Sequence, residues 1–257
     1  MDAFQAHYAD IRDPAQQPRI AAQLRDQGLV TFGGIADPAA LAAAAGRLMA
    51  IRPHRDAGPD GVTVIADTRA NDAGYAAFTD AELIPHTDGS SVPYPPGLLL
   101  LACQRPADQG GTTLLADGAR IIGTLAEQYP AALQSLSAPR AAFFGSAGGY
   151  RGPVCQPDGS GRTAIRLRLD NLAWFSVDAA LAIPLLRTVI AQHLETIRLC
   201  PGEGLLLSNT RWLHGRDRYI APRTMLRILG DPLPGTGIMP GFPSSAPAPG
   251  AQTPRAA

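Results

Sequence analysis

A small set of residues in this chain has the types and spacing to hold a metal ion. His86 and Asp88 lie two apart in Ile84-Pro85-His86-Thr87-Asp88-Gly89. On extended backbone such residues project to one face, so an imidazole and a carboxylate there can grip one cation. With five His and eighteen Asp in 257 residues, about 0.35 His-x-Asp pairs arise by chance, so the pair decides nothing alone. His214 follows the apolar run Leu205-Leu206-Leu207 and sits in Asn209-Thr210-Arg211-Trp212-Leu213-His214-Gly215-Arg216. A histidine leaving a buried strand toward glycine can point into a cavity, although by itself it more often bonds a loop carbonyl. Two imidazoles and one carboxylate on one face, with open positions opposite, suit Fe(II). The same donors also suit zinc.

Cations and hydroxyls accompany them. Arg223 and Arg227 share a strand face, and guanidinium forks match carboxylates. Gly110-Gly111-Thr112-Thr113 offers hydroxyls and a backbone that can be approached closely; an ordinary turn into a strand reads the same way. Arg216 and the alternating pair Arg166/Arg168 are further candidates for an anionic substrate, against the common case of a solvated charged face. Loop segments 69–79 (with Tyr75), 90–94 and 148–151 are expected to frame the site. His193 falls with Leu186, Ile190, Leu194 and Ile197 on a helical face and reads as a packed histidine. His7 and His54 have no partners in the sequence.

Composition narrows the classes. The 22 basic residues are all Arg, which removes Schiff-base chemistry and the phosphate-cradling Walker lysine. They balance 22 acidic residues, which argues against tracking nucleic-acid phosphates. Cys103, Cys155 and Cys200 are odd in number and widely spaced, so they suggest neither a disulfide framework nor a thiolate zinc site, and each is expected to be buried. No apolar run approaches the roughly 20 residues of a membrane span, and residues 1–30 do not resemble a signal peptide. A soluble cytoplasmic protein is the expectation.

The positioning elements are short strands between Gly/Pro punctuation. Strands are expected at 29–32, 62–65, 98–103, 112–116, 164–169, 204–209 and 224–229. Helices are expected at 14–28, from Asp37-Pro38 to about 51, at 118–135, and at 178–197 with a kink or restart at Pro184. Residues 232–257 hold seven prolines, four glycines and one charge, which predicts a disordered tail. The fold class is therefore mainly β with peripheral helices (α+β), a sandwich or jelly roll. One domain is expected over 1–231.

The order His-x-Asp, Gly-Gly-Thr-Thr, distal His and Arg-x-x-x-Arg resembles the taurine dioxygenase/clavaminate synthase superfamily of Fe(II)- and 2-oxoglutarate-dependent oxygenases. The strings PHTDG, GGTT and NTRWLHGR look closest to compact members of the carbapenem synthase kind. Twenty-four residues separate Asp88 from Thr113 and 125 separate it from His214, as in that family. The similarity covers about residues 29–231 and is densest at 84–118 and 202–231. It implies a double-stranded β-helix, with His86, Asp88 and His214 as Fe(II) ligands. Thr113 and one arginine would hold the C5 carboxylate of 2-oxoglutarate. Matching register favours Arg223, with Arg227 nearer the substrate or the C1 carboxylate; yet eight residues separate His214 from Arg223, fewer than usual, and twelve separate it from Arg227. Ser208-Asn209 stands where relatives often carry Asp-Asn.

The implied reaction consumes O2, releases succinate and CO2, and oxidises an unactivated C–H bond. Related halogenases lack the carboxylate, so Asp88 favours hydroxylation, desaturation, ring closure or epimerisation. The implied substrate is small, polar and anionic, in specialised metabolism. The alternatives are a catabolic dioxygenase for sulfonates or small acids, a jelly-roll protein that binds metal and 2-oxoglutarate without turnover, and a zinc hydrolase. Oligomeric state is not legible.

Overall fold

A computed structural model of the chain describes residues 3–67 and 76–244. The strands of its two larger sheets, all antiparallel, are β1 (Leu29–Phe32), β2 (Met49–Ile51), β3 (Thr63–Ala66), β4 (Leu83–His86), β5 (Leu98–Arg105), β6 (Thr113–Asp117), β7 (Leu194–Ile197), β8 (Gly204–Ser208), β9 (Trp212–Arg216) and β10 (Thr224–Pro232). A six-stranded sheet runs β1-β8-β5-β10-β2, with β3 also on β10; a four-stranded sheet runs β7-β6-β9-β4.

The two sheets share one core. Leu29, Leu99, Leu205, Leu207 and Met225 from the larger meet Leu115, Ile197 and Trp212 from the smaller. The outer face of the larger sheet, with Leu98, Leu100, Leu206 and Ile228, is covered by α1 (Gln17–Asp26) and α2 (Pro38–Gly46) through Ile20, Leu24 and Leu41. On the smaller sheet, Ala116 and Leu213 pack against α3 (Gly118–Gln128), α4 (Pro130–Leu136) and α5 (Val177–Gln192). Burial on both faces explains why β5 and β8 are continuous apolar runs without polar alternation. Among the described residues no helix is long and apolar enough to cross a membrane.

The sequence expectations fail at element ends. The alanine-rich helix stops at Gly46, and Met49–Ile51 pairs with Gly230–Pro232. Pro130 splits the helix expected over 118–135 in two. Pro184 does not restart an element: α5 runs through it as one helix, with Pro184 exposed and Ala182, Leu186 and Val189 buried opposite. That helix ends at Gln192, and Leu194–Ile197 pairs with β6, so Leu194 and Ile197 do not share a helical face with His193.

Residues 233–244 are also not a disordered tail. Phe242–Pro243 pairs with Arg162–Thr163, and Phe242 is buried in the helix-side core. The Arg162 guanidinium donates to the carbonyls of Pro240 and Gly241. One well-buried aromatic outweighs the surrounding turn-forming composition. Residues 245–257 lie outside the described residues.

Candidate metal and co-substrate site

β4 ends at His86, whose register partner on β9 is His214. Gly215 allows that approach: a Cβ there would lie 2.3 Å from the Leu83 carbonyl oxygen and 2.9 Å from the Pro85 nitrogen. The imidazole centroids are 4.6 Å apart. Asp88, two residues beyond the strand end, places its carboxylate 3.7 Å from His86 Nε2 and 3.9 Å from His214 Nε2. One ligand atom from each of the three lies within 4.8 Å of the others, and no other such group of His, Cys, Asp or Glu occurs among the described residues.

Protonation suits a metal. His86 Nδ1 is 3.0 Å from the Ile84 carbonyl oxygen. A carbonyl only accepts, so Nδ1 carries a proton and Nε2, which faces Asp88, is the ring nitrogen placed to ligate. Burial, reinforced by the charges of His86 and Arg227 and outweighing Asp88, pushes the His214 imidazole down to about 3. The ring is therefore neutral at pH 7, the form that ligates. Burial acts to raise the Asp88 carboxyl, but Arg227 and the two imidazoles override it and hold the group well below the usual carboxylate range. Arg227 Nη1 donates to both Asp88 oxygens, at 3.2 and 3.4 Å. An ionised carboxylate facing two imidazole nitrogens is the donor set of a two-His, one-carboxylate Fe(II) site, and the residues fit that ion.

The same cavity continues along the strands. Met225 and Arg227 project inward from β10 and Arg223 lines the cavity from just before that strand, as His214 and Arg216 do from β9, and Thr113 is the register partner of Arg216. The cavity is bounded by His86, His214 and Arg227 on one side and by Thr113, Arg216 and Arg223 on the other, with Leu99, Leu101 and Met225 as walls. His214 and Arg216 are two strand residues apart, about 7 Å, a span suited to a five-carbon diacid.

Arg223 is 7% exposed and has no hydrogen-bond or carboxylate partner among the described residues; the Tyr219 ring lies 5.7 Å from its Cζ. Burial lowers its pKa. The glycine pair makes room for it: a Cβ on Gly111, whose φ is +71°, would sit 3.1 Å from Arg223 Cδ and Nε. Thr112 and Asp217 then lock the turn, the Thr112 N–H donating to Asp217 Oδ1 at 2.7 Å and the Asp217 N–H to the Thr112 carbonyl at 3.1 Å.

The other candidate residues are placed differently. Arg216 lines the cavity, but its guanidinium donates to the carbonyls of Thr79 and Ala81, so it tethers the segment before β4. Arg166 and Arg168 do not form an anion-binding strand face, because that strand ends at Ile165. Arg166 is buried, donates to the carbonyls of Ser90, Val92 and Pro93, and lies 3.7 Å over the Tyr150 ring, stitching two site loops together. Arg168 is paired with Asp170 through two bonds. Tyr75 lies outside the described residues.

His193 caps α5 with Nε2 2.7 Å from Thr124 Oγ1, while its Nδ1 is buried without a partner among the described residues. Cys103 and Cys155 are buried as expected, whereas Cys200 is exposed. Sequence reasoning passed over Asn209, whose carboxamide bonds the main chain of Asp88 on both sides. Its signal was its place in NTRWLHGR, five residues before the distal histidine.

A family model described as taurine catabolism dioxygenase TauD, TfdA family, matches residues 2–229. The chain belongs to this family. Among curated relatives of this family member, human gamma-butyrobetaine dioxygenase is 26% identical over 179 residues, 62% of this chain and 45% of the human protein. The chain thus matches under half the length of that relative. Among solved structures, asparagine oxygenase in complex with Fe(II), hydroxyasparagine and succinate superposes with a TM-score of 0.68 at 18% identity, covering 85% of this chain and 80% of that one. The non-heme iron oxygenase OrfP, in complex with Fe, succinate and (3S)-hydroxy-L-Arg, gives 0.64 at 17% identity, covering 88% of each chain.

Proposed function

We propose that this chain is a double-stranded β-helix (jelly-roll) oxygenase that oxidises an unactivated C–H bond, most simply by hydroxylation, in a small anionic substrate of the amino-acid class. His86, Asp88 and His214 would hold Fe(II). The Thr113 hydroxyl and the Arg223 guanidinium would take the C5 carboxylate of 2-oxoglutarate, leaving Arg227 for the substrate's anionic group. The observation that carries this reading is the shared cavity, with His86 and His214 of the two-imidazole, one-carboxylate cluster on one side and the buried Arg223, without a hydrogen-bond partner among the described residues, on the other. The amino-acid class is supported by the products named in the two similar structures, hydroxyasparagine and hydroxyarginine.

Fe(II), with 2-oxoglutarate and O2, supplies the oxidising chemistry, in which 2-oxoglutarate becomes succinate and CO2. The chain contributes position and dryness. Arg223 fixes one end of the co-substrate by a fork-shaped, charge-assisted contact. Asp88 stays ionised beside Arg227, so the ligand set keeps one negative charge. Leu99, Leu101 and Met225 keep bulk water from the reacting atoms. Of the two arginines, Arg223 is preferred for the co-substrate because Arg227 already bonds Asp88.

The test is succinate formation coupled to substrate oxidation. The protein is incubated with Fe(II), 2-oxoglutarate, O2 and a panel of L-amino acids, their small derivatives, and alkyl sulfonates. One amino acid or derivative should stimulate succinate release and gain one oxygen, and D88A should abolish both. Stimulation by sulfonates alone would overturn the substrate class, and full turnover by D88A would overturn the ligand assignment.

A further inference from the structure

We propose that Asn209 is a positioning residue for the metal site, holding the main chain of Asp88 so that its carboxylate meets both imidazoles. The inference rests on the reading of His86, Asp88 and His214 as the metal ligands. Asp88 lies past the end of β4, where no sheet pairing fixes it. A side chain replaces the missing strand partner. The Asp88 N–H donates to Asn209 Oδ1 at 2.8 Å, and Asn209 Nδ2 donates to the Asp88 carbonyl at 2.9 Å and to the Pro96 carbonyl at 2.8 Å.

These three partners also determine the amide's orientation, because one is a donor and two are acceptors. Asn209 is 1% exposed, and its own N–H donates to the Gly97 carbonyl at 2.9 Å. It follows β8 directly and precedes His214 by five residues, on the turn that crosses from the larger sheet to β9 of the smaller. One carboxamide therefore ties the loop carrying the carboxylate to the turn that leads into the strand carrying the distal imidazole. No other side chain of that size offers an acceptor and two donors together. Aspartate keeps the acceptor but replaces the donating nitrogen by an oxygen that faces two carbonyls. Serine is too short to reach all three.

The experiment measures Co(II) binding to the whole metal-free protein, by titration calorimetry and by the visible Co(II) spectrum, with thermal melting of each variant. N209D is expected to bind Co(II) about 10–100-fold more weakly than wild type, the usual effect of losing a residue that orients a metal ligand, and to show an altered spectrum. N209S is expected to behave alike. The control F242A, which opens the core away from the site, should melt lower yet keep wild-type affinity and spectrum. Wild-type affinity and spectrum in N209D would overturn the proposal. So would an equal loss of affinity in F242A, or failure of both Asn209 variants to fold, since Asn209 would then hold the fold and not the ligand. Wild-type Co(II) binding that D88A does not weaken would instead overturn the metal-site reading itself.

Discussion

Arg223→Met should weaken 2-oxoglutarate binding and stabilise the protein without ligands, two effects of opposite sign from one cause. In the free protein the guanidinium is buried without a hydrogen-bonded carboxylate, and the Tyr219 ring, 5.7 Å away, with the charge of Asp217, offsets only part of its lost hydration. A desolvated ion costs several kcal/mol, and a cation–π contact returns up to about 2 kcal/mol. Methionine is close in length and apolar, so a net gain of about 1–2 kcal/mol is expected, or about 2–4 °C in Tm per kcal/mol for a chain of this size.

With 2-oxoglutarate the sign reverses. Truncating one partner of a buried, hydrogen-bonded charge pair costs about 2–5 kcal/mol, a factor of roughly 30 to several thousand in Kd. Melting of the metal-free protein and calorimetric titration of 2-oxoglutarate into the metal-loaded protein read the two halves separately. Arg227→Met gives the contrast: it strips the buried Asp88 carboxylate of its partner and should lower the Tm. A lower Tm for Arg223→Met together with unchanged 2-oxoglutarate affinity would refute the reasoning, because the arginine would then be structural.

Gly215→Ala should weaken metal binding and cost about 1–3 kcal/mol, because the new methyl meets the Leu83 carbonyl and forces β4 away from His214; Co(II) titration and denaturant melts check both. Phe242→Ala should cost about 3–5 kcal/mol in urea unfolding, a loss that a disordered tail would not show. The buried His214 ring titrates at about 3, against 6.5 in the unfolded chain. Between those values the unfolded chain binds a proton that the folded protein excludes, so stability falls as the pH drops below 6.5. At pH 5 this amounts to roughly 2 kcal/mol. Metal-free His214→Gln should lose that part of the acid slope between pH 7 and 5, and an unchanged slope would contradict the burial argument.

The parts of the site legible in the sequence are those set by strand periodicity. Arg223 and Arg227 do line one cavity, although β10 begins only at Thr224, and His86 and His214 do meet across β4 and β9. What could not be read depends on where elements stop. Alternation over 164–169 predicted a charged strand face, but the strand ends at Ile165 and Arg166 turns inward to three carbonyls. The pattern of 178–197 gave no sign that the chain leaves helix at His193 to add a strand beside β6, since that pairing partner is some 80 residues distant. Asn209 went unseen for a related reason. Its partners, Asp88 and Pro96, are more than 110 residues away, so its place in NTRWLHGR could mark it but not show what it bonds.

The most direct test of the account is anaerobic addition of 2-oxoglutarate to the Fe(II)-loaded protein, followed by visible absorption. The account predicts a weak charge-transfer band in the wild type, saturating as 2-oxoglutarate is added. At the same concentration the band should be absent in Arg223→Met and retained in Phe242→Ala. No band in a wild-type sample whose iron content is verified would contradict the assignment of His86, Asp88, His214 and Arg223 to one site.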